Sequence, residues 1–237
     1  RADAVISRKG RITCAQMQRR GGRIKIIARN GVGVDPSRVD LEAAKEFKIW
    51  VTNQPGSNAV SVAELVFGQM IALVRHTHAA NRAVRDNRWS DYLKFIGTEL
   101  ASKTLGIVGL GNIGMRVALR GRAFEMDLLV CDPYIPESHV TAIGGRWIDL
   151  EELLTESDFV TIHCPLNRET RAMIGSKELA LMKDSAYLIN AARGGIVDEN
   201  ALCATLQEKK IAGAALDVIA DEPPIKNHSL MKLDNVL

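Results

Sequence analysis

Thr104-Leu-Gly-Ile-Val-Gly-Leu-Gly-Asn-Ile-Gly114 runs from an apolar segment into a turn built on Gly109 and Gly111. A helical stretch over 115–124 follows, and a second apolar run, Leu128-Leu-Val-Cys-Asp132, ends in an acid. The three glycines serve different ends. Gly109 allows the tight turn, Gly111 lets backbone approach a pyrophosphate, and Gly114 brings the helix close to its strand. The helix start offers free N–H groups and the positive end of a dipole to phosphates. Asp132 lies 18 residues past Gly114, about where an acid accepts from the adenosine ribose. A carboxylate there repels a 2′-phosphate, which favours NAD over NADP. A Gly-x-Gly-x-x-Gly by itself is often an ordinary glycine turn. Two strands, the helix and the acid in register make this one a dinucleotide site.

Working outward, 237 residues suit one large domain or two unequal ones with a sizeable core. Hydrophobic content of 46% and charged content of 25% are ordinary globular values, which argues against a disordered or fibrous chain. No run of about 18 apolar residues occurs, so no membrane span is expected. The first residues, Arg1-Ala-Asp-Ala-Val-Ile-Ser7, read as a strand already under way, so no signal peptide is expected, and the chain reads as cut from something longer. Cys14, Cys131, Cys164 and Cys203 form no Cys-x-x-Cys pair, the pattern of reduced thiols in a cytoplasmic protein. His76 and His78 sit two apart, on different faces of a helix, so no metal is expected. The net charge of +3 hides an asymmetry: residues 1–29 hold nine Lys or Arg and one acid. Aromatics do not interleave with these charges, so a solvated face that attracts a small anionic substrate is preferred over nucleic acid.

Strands are expected over 2–7, 23–28 and 49–52, with a short helix from Thr13 to Gln18 ended by Gly21-Gly22. Asp35-Pro36 reads as a cap and first turn leading into a helix near Phe47. Residues 53–58, Asn-Gln-Pro-Gly-Ser-Asn, look like a hinge. Val62, Leu65, Val66, Leu73 and Val74 recur at helical spacing and predict one long helix over 58–78, followed by a polar helix over 80–88. Trp89, Tyr92 and Phe95 read as packing residues, in the core or against a partner subunit. Strands are then expected over 104–108, 128–131, 159–163, 186–190 and 211–217. Their continuous apolar character suits a parallel, doubly wound sheet covered on both faces, with ligands at the carboxyl ends of the strands. That singles out Asp132, His163, Cys164, Asn190, Arg193 and Asp217.

Arg193 follows an apolar strand and precedes Gly194-Gly195, where it can hold a carboxylate or a developing alkoxide through a two-pronged hydrogen bond. A surface ion pair is the plain alternative, and the glycines argue for close ligand approach instead. Asp217 closes the last strand, where its carboxylate can accept from a nicotinamide carboxamide. Glu222 falls in an acidic loop before Pro223-Pro224, where it can orient a histidine or be simply a turn residue.

Together, Gly109-Leu-Gly-Asn-Ile-Gly114 with Asp132, His163-Cys-Pro-Leu166, Asn190-Ala-Ala-Arg-Gly-Gly-Ile-Val-Asp198 and Leu216-Asp-Val with Glu222-Pro resemble the D-2-hydroxyacid dehydrogenases, the phosphoglycerate dehydrogenase branch above all. Gly31-Val-Gly-Val-Asp35 and the 53–58 segment fit that family's substrate domain and hinge. The resemblance implies an α/β chain: a small, incomplete flavodoxin-like substrate domain over 1–53 and a Rossmann-like NAD domain over 54–237. It implies hydride transfer between NAD and C2 of a small D-2-hydroxy or 2-keto acid, in a homodimer joined through the NAD domain, with Trp89 near that contact. Arg193 and Glu222 are then catalytic. Asn112, Ile113, His163, Cys164, Pro165, Ala191, Ala192 and Asp217 line the cofactor site with the glycines and Asp132, and Val32 and Gly33 present amides to the substrate. The family's acid–base histidine is expected beyond Leu237, and His228 lacks its context. The rival expectation is an NAD-sensing protein-binding module of the corepressor kind on the same fold.

Overall fold

A computed structural model describes residues 2–8, 10–18, 23–34, 38–222 and 228–237. The chain divides into two units, Arg1–Val60 and Ser61–Leu237. In the first, β1 (Ala4–Ser7), β2 (Ile26–Arg29) and β3 (Trp50–Thr52) pair in parallel in that order. Parallel neighbours need crossovers, which carry α1 (Cys14–Gln18) and α2 (Leu41–Glu46). Met17, Ile24, Ile27, Val39, Ala43, Ala44 and Ile49 close the core between them. Thr13 caps α1, its Oγ accepting from Gln16 N (3.4 Å) while Gln16 Oε1 accepts from Thr13 N (2.9 Å).

The helix expected to start at Asp35-Pro36 starts at Leu41 instead, with Asp40 as its cap, accepting from Ala43 N at 3.1 Å. Val39 is held in a parallel bridge to Ile12, so the chain is still extended just before the helix. Asp35 and Pro36, like Gly21 and Gly22, lie outside the described residues.

The second unit opens with α3 (Ala59–Val74), which begins in the first, and α4 (Thr77–Arg85). These replace the expected 58–78 and 80–88 helices, because His76 takes a left-handed conformation, φ 49°, and ends the first early. The returning chain meets that end: Thr98 N donates to Val74 O at 3.2 Å, and a Cβ at Gly97 would lie 2.1 Å from the same oxygen. A 3-10 segment, Trp89–Phe95, follows; Trp89 and Tyr92 are exposed, outside the core.

Then come β4 (Thr104–Val108), α5 (Asn112–Ala123), β5 (Asp127–Cys131), α6 (Glu137–Ala142), β6 (Arg146–Trp147), α7 (Leu150–Glu156), β7 (Phe159–Ile162), α8 (Ser176–Leu179), β8 (Tyr187–Asn190), α9 (Glu199–Gln207) and β9 (Gly213–Leu216). The strands form one parallel sheet in the order β6-β5-β4-β7-β8-β9. Successive strand residues feed opposite faces. Val108, Leu129, Val160, Ile162 and Leu188 pack with Leu153, Leu179 and Leu202 from α7, α8 and α9. Ile107, Val130, Phe159 and Ile189 pack with Phe67, Met70, Val117 and Ala118 from α3 and α5. The last residues lie beside β9, with Leu216 N donating to Leu237 O at 2.9 Å. Strand order reverses at β4, so the crevice of such a sheet opens at the carboxyl end of β4.

Candidate dinucleotide site

At that end the chain turns on Gly109, whose φ of +95° favours glycine and whose Cβ would lie 2.9 Å from Cys164 N. Gly111 caps α5, and a Cβ added there meets nothing within 4 Å. A Cβ at Gly114 would meet Gly109 O at 2.1 Å, so α5 sits against the turn at a separation only glycine permits. The first bond of α5 runs from Met115 N to Gly111 O (3.0 Å), leaving the amides of Asn112, Ile113 and Gly114 without partners inside the helix. The start of α5 thus has amides the helix does not use and a positive dipole end, next to a Gly111 whose Cβ position is open, a combination suited to a diphosphate.

Asp132 is bound to this turn. It is 9% exposed; Oδ2 accepts from Leu110 N at 2.8 Å and Oδ1 from Tyr134 N at 2.9 Å. A carboxylate has about four acceptor positions, so two remain for ribose hydroxyls. The indole of Trp147 donates to Asp132 O at 3.1 Å and holds the backbone from the β6 side. Two residues past the acid, Tyr134 Oη donates to Glu169 Oε2 at 3.1 Å, a contact that no sequence pattern links across 35 positions. Glu169 stands in a built turn, in which Asn167 Oδ1 accepts from Glu169 N and Thr170 N, and Thr170 Oγ1 donates to Pro165 O.

On the other side of β4, His163 N donates to Val108 O at 2.7 Å, and its Nε2 meets Thr161 Oγ1 at 2.9 Å. Its Nδ1 is buried without a hydrogen-bond partner. Burial pushes the imidazole down to about 4, so the ring is neutral at physiological pH. Burial likewise raises the Cys164 thiol to about 11 and holds Cys131 above its usual range, with Asp132 adding to both. Neither thiol is a nucleophile near neutral pH.

At the end of β8, Asn190 ties three segments together. Its Oδ1 accepts from Ala192 N (3.1 Å), its Nδ2 donates to Arg193 O (3.0 Å), and its carbonyl accepts from Asp217 N (3.0 Å). Ala191 is buried beside it, and Arg193 is exposed, with Nη1 donating to Ala192 O at 2.7 Å. The glycines after Arg193 serve the chain itself: a Cβ at Gly194 would lie 1.9 Å from Ile219 O, and Gly195 has a φ of +82°. The loop after β9 thus rests directly on the Arg193 loop. Burial, then the charge of Glu222, hold the Asp217 carboxyl above its ordinary range. Glu222 itself is exposed, and Pro223 and Pro224 lie outside the described residues. His228 Nε2 meets Glu199 Oε2 at 3.2 Å, and Glu199 Oε1 accepts from Ala220 N at 2.5 Å, so this histidine has a partner other than Glu222.

Within the first unit, Val32 O accepts from Asn53 Nδ2 (2.8 Å) and Gly33 O from Arg29 Nε (3.2 Å). Arg29 is 8% exposed and also donates to the carbonyls of Ser7 and Arg8. A trans peptide directs the next N–H away from its carbonyl, so the amides of Gly33 and Val34 turn away from these internal donors.

The second unit therefore gathers Gly109, Gly111, Asn112, Ile113, Gly114, Asp132, His163 and Cys164 around the end of β4, and Ala191, Ala192, Arg193 and Asp217 around the ends of β8 and β9. Residues 67–237 match the family described as D-isomer specific 2-hydroxyacid dehydrogenase, NAD binding domain. D-3-phosphoglycerate dehydrogenase of Methanocaldococcus jannaschii is 43% identical over 237 residues, which is 100% of this chain and 44% of that protein. Hydroxypyruvate reductase of Thermotoga maritima is 40% identical over 99% of this chain and 76% of its own length. The crystal structure of D-lactate dehydrogenase from Aquifex aeolicus, complexed with NAD and lactic acid, superposes with a TM-score of 0.88 at 33% identity, covering 100% of this chain and 74% of that one. The chain thus spans under half the length of the archaeal relative and about three quarters of the others. With the glycine turn, the locked acid and the family match in agreement, the chain belongs to the D-isomer specific 2-hydroxyacid dehydrogenases, and residues 67–237 are its NAD-binding domain.

Proposed function

We propose that the protein moves a hydride between NAD and C2 of a small anionic 2-hydroxy or 2-keto acid, in the manner of a phosphoglycerate dehydrogenase. The observation that carries the reading is the bond from Leu110 N to Asp132 Oδ2, which locks the acid of one strand end onto the glycine turn of the next. NAD, when bound, supplies the hydride chemistry; the chain's own residues bind, orient and hold protons. Gly111, Asn112 and Ile113 would hold the diphosphate, Asp132 the ribose, and Cys164 and Pro165 the wall behind it. Ala191, Ala192 and Asp217 would hold the nicotinamide end.

Arg193 would clamp the substrate carboxylate and carbonyl, presented by a loop that Asn190 fixes from within. A guanidinium fork suits that planar anion. Val32 and Gly33 would offer backbone amides to a substrate carboxylate. Glu222 would orient an acid–base histidine, a role not filled by His228, which is engaged with Glu199. The domain boundary at residue 53, a cytoplasmic location and a homodimer belong to the same reading. Exposed Trp89, Tyr92, Leu93 and Ile96 support a subunit contact, which light scattering on the full chain tests.

The deciding experiment follows NADH oxidation by the full chain against a panel of 2-keto acids. Turnover of one or more supports the enzyme reading; silence across the panel with intact NADH binding favours an NAD-sensing module. Arg193→Ala is expected to raise KM and lower kcat by orders of magnitude while NADH affinity stays nearly unchanged. An equal loss of NADH binding contradicts the role given to Arg193.

A further inference from the structure

The contact between Tyr134 and Glu169 joins the loop after β5 to the loop after β7. In the sheet, β4 lies between those two strands, and the glycine turn is the end of β4. A side-chain bridge from one loop to the other therefore spans the glycine turn. Its Tyr134 foot stands two residues past Asp132, and neither loop carries Arg193 or Asp217, which follow β8 and β9. The bridge is anchored at both feet: Tyr134 N donates to Asp132 Oδ1, and Asn167 and Thr170 build the turn that carries Glu169. Tyr134 is nevertheless 77% exposed, so one face of its ring has no protein against it. Hydrogen bonds between exposed side chains add little stability, so the bridge has little value to the fold itself. The phenol responds to both acids, its pKa being raised first by Glu169 and more weakly by Asp132.

We propose that Tyr134 and Glu169 form a clasp over the adenosine half of the dinucleotide, the phenol ring walling the adenine and the Glu169 carboxylate adding a second negative charge against a 2′-phosphate. This rests on the dinucleotide reading of the site and adds two residues to it. A flat aromatic face is a stacking partner for any base. Two carboxylates bracketing one ribose repel a phosphate more than Asp132 alone, and the added repulsion is screened by salt because Glu169 is exposed.

Calorimetric titration of the full chain with NADH and with NADPH tests this in the unsubstituted protein, Tyr134→Phe, Tyr134→Ala and Glu169→Gln. All three substitutions are at exposed positions, and unchanged thermal unfolding verifies their folding. Tyr134→Phe keeps the ring and loses the bond, so NADH is expected to bind about 3-fold more weakly; Tyr134→Ala loses both, with a drop of about 10-fold or more. Glu169→Gln keeps an acceptor and removes the charge. It is expected to leave NADH within about 2-fold and tighten NADPH about 3- to 10-fold at low salt, a gain that shrinks at high salt. Normal NADH binding with both affinities unchanged in every variant overturns the clasp and leaves the site intact. No NADH uptake by the unsubstituted chain overturns the site and the clasp together.

Discussion

A methyl group added at Gly111 meets no heavy atom within 4 Å, whereas one at Gly114 comes within 2.1 Å of Gly109 O. The two positions therefore separate binding from folding. Gly111→Ala is expected to keep the fold, within about 1 kcal/mol of cap preference, and to weaken NADH at least about tenfold because the methyl stands in the cradle. Gly114→Ala must push α5 off the turn and is expected to lose about 1–3 kcal/mol of stability as well as binding. Thermal unfolding and calorimetry on the pair read the difference; equal thermal losses would sink the assignment. His163 gives the pH dependence. Its folded pKa of about 4 lies below the ordinary 6.5, so the unfolded chain binds the proton more readily. Stability from this group is complete above about 6.5 and is lost as pH falls toward 4, by about 3 kcal/mol at most. Denaturant titrations at pH 7 and pH 4.5 should show a smaller acid loss in His163→Gln than in the parent. The glycines were legible because their reasons are steric and local; Asp132 was singled out by its spacing after Gly114, not by its bond to Leu110 across 22 positions. Tyr134 and Glu169 were not, since a bond across 35 positions depends on two loops meeting.

At the scale of elements, Asp198 caps α9 by accepting from Asn200 N (2.9 Å) and Ala201 N (3.1 Å). The next residue, Glu199, accepts from Ala220 N and meets His228, so the helix start also anchors the loop after β9. Asp198→Ala is expected to destabilise the protein by about 1–2 kcal/mol, a fall of about 2–8 °C in Tm for a domain of this size. Differential scanning calorimetry checks it, and an unchanged Tm would remove the cap's importance. Caps in general were only half legible. Asp35-Pro36 carries the better local signal for a helix start, yet Asp40 caps α2, because Val39 first pairs with Ile12. The His76 break between α3 and α4 follows the same logic. No glycine or proline marks it, and Gly97-Thr98, which close on Val74 O, are more than twenty residues away. Strand pairing and chain return override local preference at such points.

Across the whole molecule, the parallel sheet was readable because strands covered on both faces keep continuous apolar runs, as β4, β7 and β8 do. The two-residue strand β6 was not, being too short to carry a pattern. That short strand has an optical consequence. Its Trp147 is hydrogen-bonded to Asp132 O, and the chain's other indoles, Trp50 and Trp89, lie on β3 and in the 3-10 segment. A protein carrying Trp50→Phe and Trp89→Phe keeps a single indole emitter, bonded to Asp132. Its ultraviolet emission overlaps the absorption band of reduced nicotinamide, so quenching of that one lamp reports each docking event in real time without any label.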